Sequence, residues 1–400
     1  MTRRRGNGLR AMALMALGFA STQAHGEDAG LQPYQMVRSL QLVQDRIAGG
    51  DHAALPMQRK LLEMIDARYR AAVDADFEDR RNFQSLMIYA MSGGNPATIA
   101  DLLARIDIDE ADRAAGAGVL GYLTGDVAQA RNALATIDTT VQTPELAAFL
   151  SLVKGSVVAG EDAATGVALL DRARLLAPGT LVEEAALRRT ITLASSAGDT
   201  ERFVSAAEQY ARRFLRSPYA SQFAESFVSG IISLKQSDLD LDRIEQTIAW
   251  MTQEQGRTVY LRLARRAAID GDAELLAFAT RNTSEQDRER PDGSDPRNEL
   301  YSSISSVTSE TVEEVLSRLK DLDPTGLNAR DRALLTAAKT IAAEVVAPVE
   351  ARTSMPPRRP PAEDIEEPAL QDEPSDTDAV VVSARSKLEA IDKLLEETER

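Results

Sequence analysis

Two short strings place a serine three residues before a lysine, which is the spacing of a serine nucleophile activated by a lysine base. They are SLVK, where Ser151 precedes Lys154, and SRLK, where Ser317 precedes Lys320. A serine–lysine catalytic centre also needs companion motifs that supply further polar groups, and none follows either string. Both strings fit the surface of a helix equally well, and we interpret them in that way.

Other residues that could hold a metal or transfer a proton are sparse. Histidine occurs only as His25 and His52, cysteine is absent, and no HExxH or glycine-rich phosphate-binding motif is present. Adjacent acids such as Glu183 and Glu184 point about 100 degrees apart on a helix, so we interpret them as capping or solvated groups rather than as an acid–base couple. The sequence therefore predicts a protein that is not an enzyme and that has no catalytic, cofactor or metal site.

Composition favours a chain built of helices. The 400 residues are 44% hydrophobic and rich in Ala, Leu, Glu and Arg, and strand-type alternation is nearly absent. Aromatic residues make up 4%, too few for the stacking platforms that bind single-stranded nucleic acids, and a formal charge of -16 opposes a phosphate backbone. We expect an all-α protein that binds no nucleic acid.

The first 24 residues resemble a secretory signal peptide. Four arginines between residues 3 and 10 precede an apolar run at 11–20, and a small-x-small cleavage signal ends at Ala24. The apolar run is shorter than the roughly 20 residues that span a bilayer, and no later segment is long and apolar enough, so the mature chain is expected to have no membrane span. A buried N-terminal helix is the alternative. The sequence favours export to the periplasm, where loss of four arginines would change the charge from -16 to -20.

Small turn pairs recur along the chain, and a short amphipathic helical pattern follows each of them. The separations between successive pairs are 31, 35, 38 and 73 residues, the last being about two periods. A missing member is expected near Gln236 to Asp238. Helical hairpins with a period near 34 predict a tetratricopeptide-like superhelix, and an irregular array of hairpins is the alternative. The pairs are Gly94-Asn95, Gly125-Asp126, Gly160-Glu161, Gly198-Asp199 and Gly271-Asp272.

The best-defined joint of this array is LLAPGTLVEEAALRR, residues 175–189. Pro178 lacks the N–H that a continuing helix needs, and Thr180 is a good N-cap for the next helix. Glu183 lies three residues further on, so we expect a capping box in which its side chain accepts a bond from the N–H of Thr180.

Composition divides the chain into six parts. Polar, turn-rich residues predict a linker between two helical regions, and Pro-rich acidic residues predict a disordered tether. Apolar residues at a 3-4-3-4 spacing predict a short C-terminal helix, which either docks on a partner or on the array or is frayed. The predicted parts are a signal peptide (1–24), the helical array (25–283), a polar linker (284–298), a helical pair (299–346), the tether (347–378) and the C-terminal helix (379–400).

One segment is locally basic within this acidic chain. Residues 171–216 contain eight arginines and six acids. Guanidinium groups form forked bonds with carboxylates, so one interpretation is a patch that binds an acidic partner. The other is a set of ordinary surface ion pairs, which contribute little each. The candidate partner-binding residues are Arg188, Arg189, Arg212, Arg213 and Arg216.

Several of these stretches resemble the MotC family, periplasmic motility and chemotaxis proteins of rhizobial-type flagellar motors. They are LLAPGTLVEEAALRR with the following GDTERF, the segment RRFLRSPYASQF, and the earlier PYQMVRSLQLVQDRIAGG. The resemblance extends over about residues 31–279 and is strongest over 170–223. It implies a periplasmic protein that is needed for flagellar rotation and that binds the periplasmic part of the MotB stator subunit. It supplies no catalytic or ligand-binding motif.

Together with the helical array and the lack of catalytic motifs, this resemblance implies a non-enzymatic periplasmic adaptor of the flagellar motor that holds a stator component. A general tetratricopeptide-like scaffold of another cell-envelope complex is the alternative within the same class. An envelope enzyme that cleaves glycans is the alternative from another class, but it would need a compact catalytic domain, and residues 299–400 predict only a helical pair, a tether and a short helix.

Overall fold

The computed structural model describes residues 31–234, 239–288, 295–305 and 312–346. These residues form seventeen α-helices and no β-strand, so the prediction of an all-α protein is confirmed. The predicted signal peptide, tether and C-terminal helix lie outside the described residues, as do His25 and the repeat position at Gln236 to Asp238. Within the described ranges, none of the helices is long and apolar enough to cross a membrane.

The helices follow one another through short turns. The first nine are α1 (Pro33–Ala48), α2 (Leu55–Arg70), α3 (Arg80–Met91), α4 (Pro96–Arg105), α5 (Glu110–Thr124), α6 (Val127–Ala135), α7 (Pro144–Val158), α8 (Ala163–Leu176) and α9 (Leu181–Ala197). The remaining eight are α10 (Thr200–Phe214), α11 (Ala220–Ser233), α12 (Leu241–Ile248), α13 (Gln253–Asp270), α14 (Ala273–Arg288), α15 (Pro296–Ser305), α16 (Val312–Asp321) and α17 (Ala329–Val346).

The recurring turns start helices by capping them. In four of the five predicted pairs, the polar residue accepts a backbone hydrogen bond in the first turn of the helix that follows, and in the pair at Gly160 the cap is the next residue, Asp162. Asp240 caps α12 in the same way, directly after the position expected for the missing repeat. The caps are Asn95 for α4, Asp126 for α6, Asp162 for α8, Asp199 for α10 and Asp272 for α14.

The odd-numbered helices form one continuous row, in which each packs against the next from α1 to α17. Even-numbered helices other than α12 pack on the preceding odd-numbered helix, most extensively in the hairpins α5–α6, α7–α8, α9–α10 and α13–α14, whereas α12 packs on α10. The row curves back on itself, because α3 also contacts α7 and α1 also contacts α9. The described chain is therefore a superhelix of helical hairpins whose first five odd-numbered helices close into a ring. Its specific likeness to tetratricopeptide repeats stays a prediction.

Two large apolar clusters stabilise the superhelix. One joins α1 to α7 around Leu86 and Leu150, and the other joins α9 to α17 around Tyr210 and Phe223, whose stacked rings have centroids 4.1 Å apart. A smaller cluster of Val43, Ile47 and Ala54 packs against Leu181 at the start of α9. This third cluster closes the ring, since it joins α1 to α9.

The polar segment at residues 284–298 contains more helix than its composition suggests. Helix α14 continues to Arg288 and α15 begins at Pro296, so both extend into the predicted linker. Polar residues there have partners within the fold: Asp295 pairs with Arg257 at 2.9 Å, and Asn298 bonds to Thr283 at 2.5 Å. The region beyond residue 299 then contains most of α15 in addition to α16 and α17. Polarity alone therefore did not locate the ends of these helices.

Candidate functional site

An open cleft of about 680 Å³ lies between α1 and the junction that joins α8 to α9. One wall is α1, which contributes Arg38, Leu42 and Asp45. The opposite wall is the stretch LLAPGTLVEEAALRR, which contributes residues from Leu176 to Arg188. The first half of α2, the end of α3, one side of α7 and Tyr219 complete the lining. The helix–turn–helix junction at residues 175–189 therefore forms one side of a cavity whose volume is in the range of ligand-binding clefts.

Local chemistry fixes the shape of this junction. Helix α8 ends before Pro178, and Gly179 adopts a φ of +83°, a left-handed conformation that favours glycine. Thr180 caps α9 as predicted, since its side chain accepts a bond from the N–H of Val182 at 3.2 Å.

The expected capping box at this junction does not form, because Glu183 binds the N–H one residue before the predicted one. Glu183 accepts a hydrogen bond from the N–H of Gly179 at 2.5 Å instead of from that of Thr180. Its other carboxylate oxygen pairs with Arg213 of α10, also at 2.5 Å. Because the two oxygens are held from different sides, Glu183 links the turn to α10 rather than closing a box within α9.

Apolar side chains face the cleft from both walls. Leu42 in the middle of α1 is 61% exposed and lines the cleft. Across from α1, half-buried apolar residues of α7, α8 and α9 line the cavity. They are Phe149, Leu152, Leu176 and Leu181. The cleft therefore offers apolar surface that the described part of the chain leaves accessible.

The α9 wall is internally paired. Glu184 is 1% exposed, yet it accepts hydrogen bonds from Tyr210 at 2.8 Å and from Arg188 at 3.2 Å. The guanidinium of Arg188 also lies 5.4 Å from the ring centroid of Tyr219. The sequence interpretation of Glu183 and Glu184 as solvated or capping groups is thus wrong for Glu184, which is a buried carboxylate whose charge is balanced by Arg188.

Helices α1 and α7, in contrast, present charged groups to the cleft that form no ion pair within the described residues. Arg38 and Asp45 of α1 and Glu145 of α7 are exposed to the cleft and have no partner of opposite charge there. Surrounding protein partly desolvates the Asp45 carboxylate, which raises its pKa above the ordinary value. The cleft thus combines accessible apolar surface with an excess of uncompensated acid.

Two of the predicted partner-binding arginines lie on α9 but point to different neighbours. Arg188 faces the cleft and is held by Glu184 and Tyr219. Arg189 instead donates to the hydroxyl of Tyr122 in α5 at 2.5 Å. These adjacent residues therefore do not form one guanidinium pair for a partner.

The other three candidates lie at the end of α10 and just after it. Arg212 is 3.7 Å from Glu208 and lies 5.9 Å from the ring centroid of the exposed Trp250, whereas Arg213 pairs with Glu183. Arg216 is exposed, and its backbone carbonyl contacts His52. The five arginines contact five different sets of neighbours, and their role in partner binding stays a prediction.

The groups first considered for chemistry have structural positions. Lys154 donates to the carbonyl oxygens of Ala135 and Ile137. The hydroxyl of Ser151 is buried and has no hydrogen-bond partner, so the interpretation of SLVK as helix surface is wrong for Ser151. Ser317 and Lys320 are both exposed on α16. In the ranges that the structure describes, no group of three or more His, Asp or Glu side chains is arranged to hold a metal ion. Neither serine–lysine string forms a nucleophile–base hydrogen bond.

Sequence reasoning missed the α1 wall of the cleft. The signal was present, because Arg38, Leu42 and Asp45 follow each other at spacings of four and three residues and so share one helix face. The signal was weak, because single exposed apolar residues are common on protein surfaces, and the sequence could not show that α9 lies opposite.

Comparison with known proteins agrees with the resemblance seen in the sequence. The family model described as chemotaxis protein MotC matches residues 1–400. The chain is 39% identical over 363 residues to chemotaxis protein MotC of Rhizobium meliloti (strain 1021), an alignment that covers 89% of this chain and 81% of that protein. No solved structure matches the chain significantly. On this evidence the chain belongs to the MotC family, and it is a protein related to motility and chemotaxis.

Proposed function

We propose that this protein is a non-enzymatic periplasmic adaptor of the flagellar motor, which binds the periplasmic part of a MotB-like stator subunit and is needed for flagellar rotation. The observation that carries the proposal is membership of the MotC family over the whole chain. The cleft between α1 and α9 supports a binding function, since it exposes apolar and charged side chains to a partner.

The location is part of the proposal. Residues 1–24 have the basic, apolar and small-x-small regions of a signal peptide, which supports export. An acidic chain without cysteine is compatible with the periplasm. Fusing residues 1–40 to alkaline phosphatase, which is active only after export, tests this point: activity in whole cells is expected, and its absence would contradict a periplasmic location.

The adaptor would act by differential affinity. A protein that binds one conformation of a stator subunit better than another shifts the population toward the preferred state by the ratio of the two affinities. A preformed surface lowers the conformational entropy lost on binding, and a superhelix whose ring is closed by packing between α1 and α9 supplies one.

Deletion of the gene tests the motility function. Cells without it should assemble flagella that do not rotate, and the intact gene supplied from a plasmid should restore swimming. Normal swimming by the deletion strain would contradict the proposal.

Binding to the stator is tested with purified proteins. The mature chain should retain the periplasmic domain of the organism's MotB-like subunit in a pull-down and show saturable binding by calorimetry. A chain that restores swimming but binds no stator domain would instead favour a general scaffold of another envelope complex.

A further inference from the structure

We infer that the cleft between α1 and α9 binds a basic amphipathic segment of the partner, whose apolar side chain packs on Leu42 and whose basic side chain pairs with Asp45. The inference rests on the proposed function for the identity of the partner, and it names the chemistry that the site recognises. It also assigns recognition to α1 instead of to the arginines of α9 and α10.

The α1 wall presents three recognition groups in a line. Arg38, Leu42 and Asp45 occupy positions i, i+4 and i+7 of one helix, so all three lie on the face that lines the cleft. Leu42 is the central member and is 61% exposed. A helix face with an apolar centre and charged ends fits a segment that is itself amphipathic.

The opposite wall supplies the apolar surface that a side chain placed on Leu42 would also touch. Phe149 and Leu152 of α7, Leu176 of α8 and Leu181 of α9 are half-buried and line the same cavity. Their positions are fixed by neighbouring packing, because Leu181 contacts the cluster of Val43 and Ile47 and Phe149 contacts the core of α7. A preformed apolar cavity of this kind loses little conformational freedom on binding.

Charge complementarity decides the sign of the partner segment. Of the charged groups that line the cleft, Glu184 and Arg188 pair with each other. Asp45, Glu145 and Arg38 have no ion pair within the described residues, which leaves one acid in excess. The whole chain has a formal charge of -16, so its long-range field also favours a basic segment.

Asp45 is the acid best placed for this pairing. It lies one helical turn from Leu42, so an apolar and a basic side chain three or four residues apart on a partner helix would reach both. Its carboxylate is already partly desolvated, and a charge pair formed in such surroundings is screened less by water than one on an open surface. The interaction is therefore stronger for a cation that enters the cleft than for one that stays outside it.

The test measures affinity of the full mature chain for the periplasmic domain of the MotB-like stator subunit by calorimetry. Leu42→Asp and Asp45→Lys should each raise the Kd at least about tenfold. Asp45→Asn should raise the Kd several-fold and reduce the dependence of binding on salt. The matched controls are Ile341→Asp, at a residue 63% exposed on α17, and Glu225→Gln, at an exposed acid of α11. Both controls should stay within about twofold of the wild type, as is usual for surface changes outside an interface.

A charge reversal identifies the pair directly. Lysines and arginines of the stator domain are changed one at a time to glutamate, and one of these variants should lose affinity for the wild-type chain and regain it with Asp45→Lys. Circular dichroism and thermal unfolding show whether each variant is folded. If Leu42→Asp does not fold, Asp45→Lys alone tests the inference.

The outcomes separate the two proposals. Wild-type binding that survives Leu42→Asp, Asp45→Lys and Asp45→Asn unchanged overturns the cleft inference and leaves the stator proposal intact. Absence of any binding by the wild type overturns both. Loss of binding confined to Arg188, Arg212 or Arg216 variants would also overturn the inference and return recognition to the arginine segment.

Discussion

The Nε2 atom of His52 lies 2.7 Å from the backbone carbonyl oxygen of Arg216, although 164 residues separate the two along the chain. When its Nε2 is protonated, the imidazole donates to this carbonyl and joins the turn after α1 to the turn after α10. The contact adds to the packing of Val43 and Ile47 on Leu181 that holds α1 against α9. One of the two histidines thus has a structural role at the edge of the ring that forms the cleft.

Replacing Gly50 beside this contact should destabilise the protein more than replacing Gly125. Both glycines have a positive φ, +96° and +81°, so alanine costs about 1 to 2 kcal/mol at either position. A Cβ at Gly50 would also collide with the side chain and carbonyl of Arg216, whereas one at Gly125 meets nothing within 4 Å. Urea unfolding should show a further loss of about 1 to 3 kcal/mol for Gly50→Ala. Equal losses would mean that the two turns are not in contact.

A second glycine is required by packing within the core of the second half. Gly230 of α11 faces Phe203 so closely that an alanine Cβ would overlap its ring, while Gly160 has open space around its Cα. Gly230→Ala should lower the free energy of unfolding by about 1 to 3 kcal/mol, although alanine is the better helix former. Gly160→Ala should change it by less than about 1 kcal/mol. Thermal unfolding of the two variants checks the difference, and a stable Gly230→Ala would contradict the packing of α11 on α10.

Arg213 and Arg212 are neighbours that should behave differently. Arg213→Ala leaves the buried carboxylate of Glu183 with a hydrogen bond only from the N–H of Gly179, and should cost about 1 to 2 kcal/mol of stability. Arg212 is half exposed and 3.7 Å from Glu208, so Arg212→Ala should cost less than about 1 kcal/mol. Denaturant unfolding of both variants and of Glu183→Gln measures this. If Arg213→Ala kept full stability and lost partner affinity, its main role would be in binding.

Asp295 should make stability sensitive to acid. Burial acts to raise its pKa, but hydrogen bonds from Arg297 and Arg257 outweigh that effect and hold the pKa far below the ordinary value. A depressed carboxylate pKa stabilises the fold fully above the unfolded-state pKa of about 3.9, and the contribution is lost as pH falls below it toward the folded pKa. Asp295→Asn should therefore cost about 1 to 3 kcal/mol at pH 7 and progressively less at pH 3.

Urea unfolding at pH 7, 5 and 3 measures this effect. Asp101→Asn is the control, since Asp101 forms an exposed i, i+4 pair with Arg105 and should change stability little at any of these pH values. A loss in Asp295→Asn that stayed constant down to pH 3 would contradict the argument.

The helices and their starts could be predicted because the signals are local. A capping side chain and the N–H that it binds lie two or three residues apart, so Asn95, Asp126 and Asp199 could be recognised without tertiary information. The contact between α1 and α9 has no such signal, since it depends on the accumulated rotation of all the hairpins between them. The cleft therefore could not be located from the sequence, although one of its walls was the best-defined stretch in it.

The candidate binding residues show the same limit. Residues 171–216 contain more arginines than acids, but this composition does not show which face of its helix each arginine occupies. Arg188 and Arg189 are adjacent and bind groups on α9 and α5, respectively. Glu184 could not be distinguished from a solvated acid, because its burial results from Tyr210 of α10 packing over it.

Closure of the ring through α1 also sets the order in which the protein can complete its fold. Helix α1 is synthesised first, but Leu181 and the carbonyl of Arg216, against which its end is held, are added more than 130 residues later. Forming a contact over such a sequence separation is entropically slow. Val43 and Ile47 can pack early on Leu55 and Leu61 of α2, but the surface that Leu181 covers stays accessible to solvent while α2 to α8 form their local hairpins. A chain that is interrupted before α9 keeps this apolar edge exposed, which makes it a target for chaperones and for aggregation.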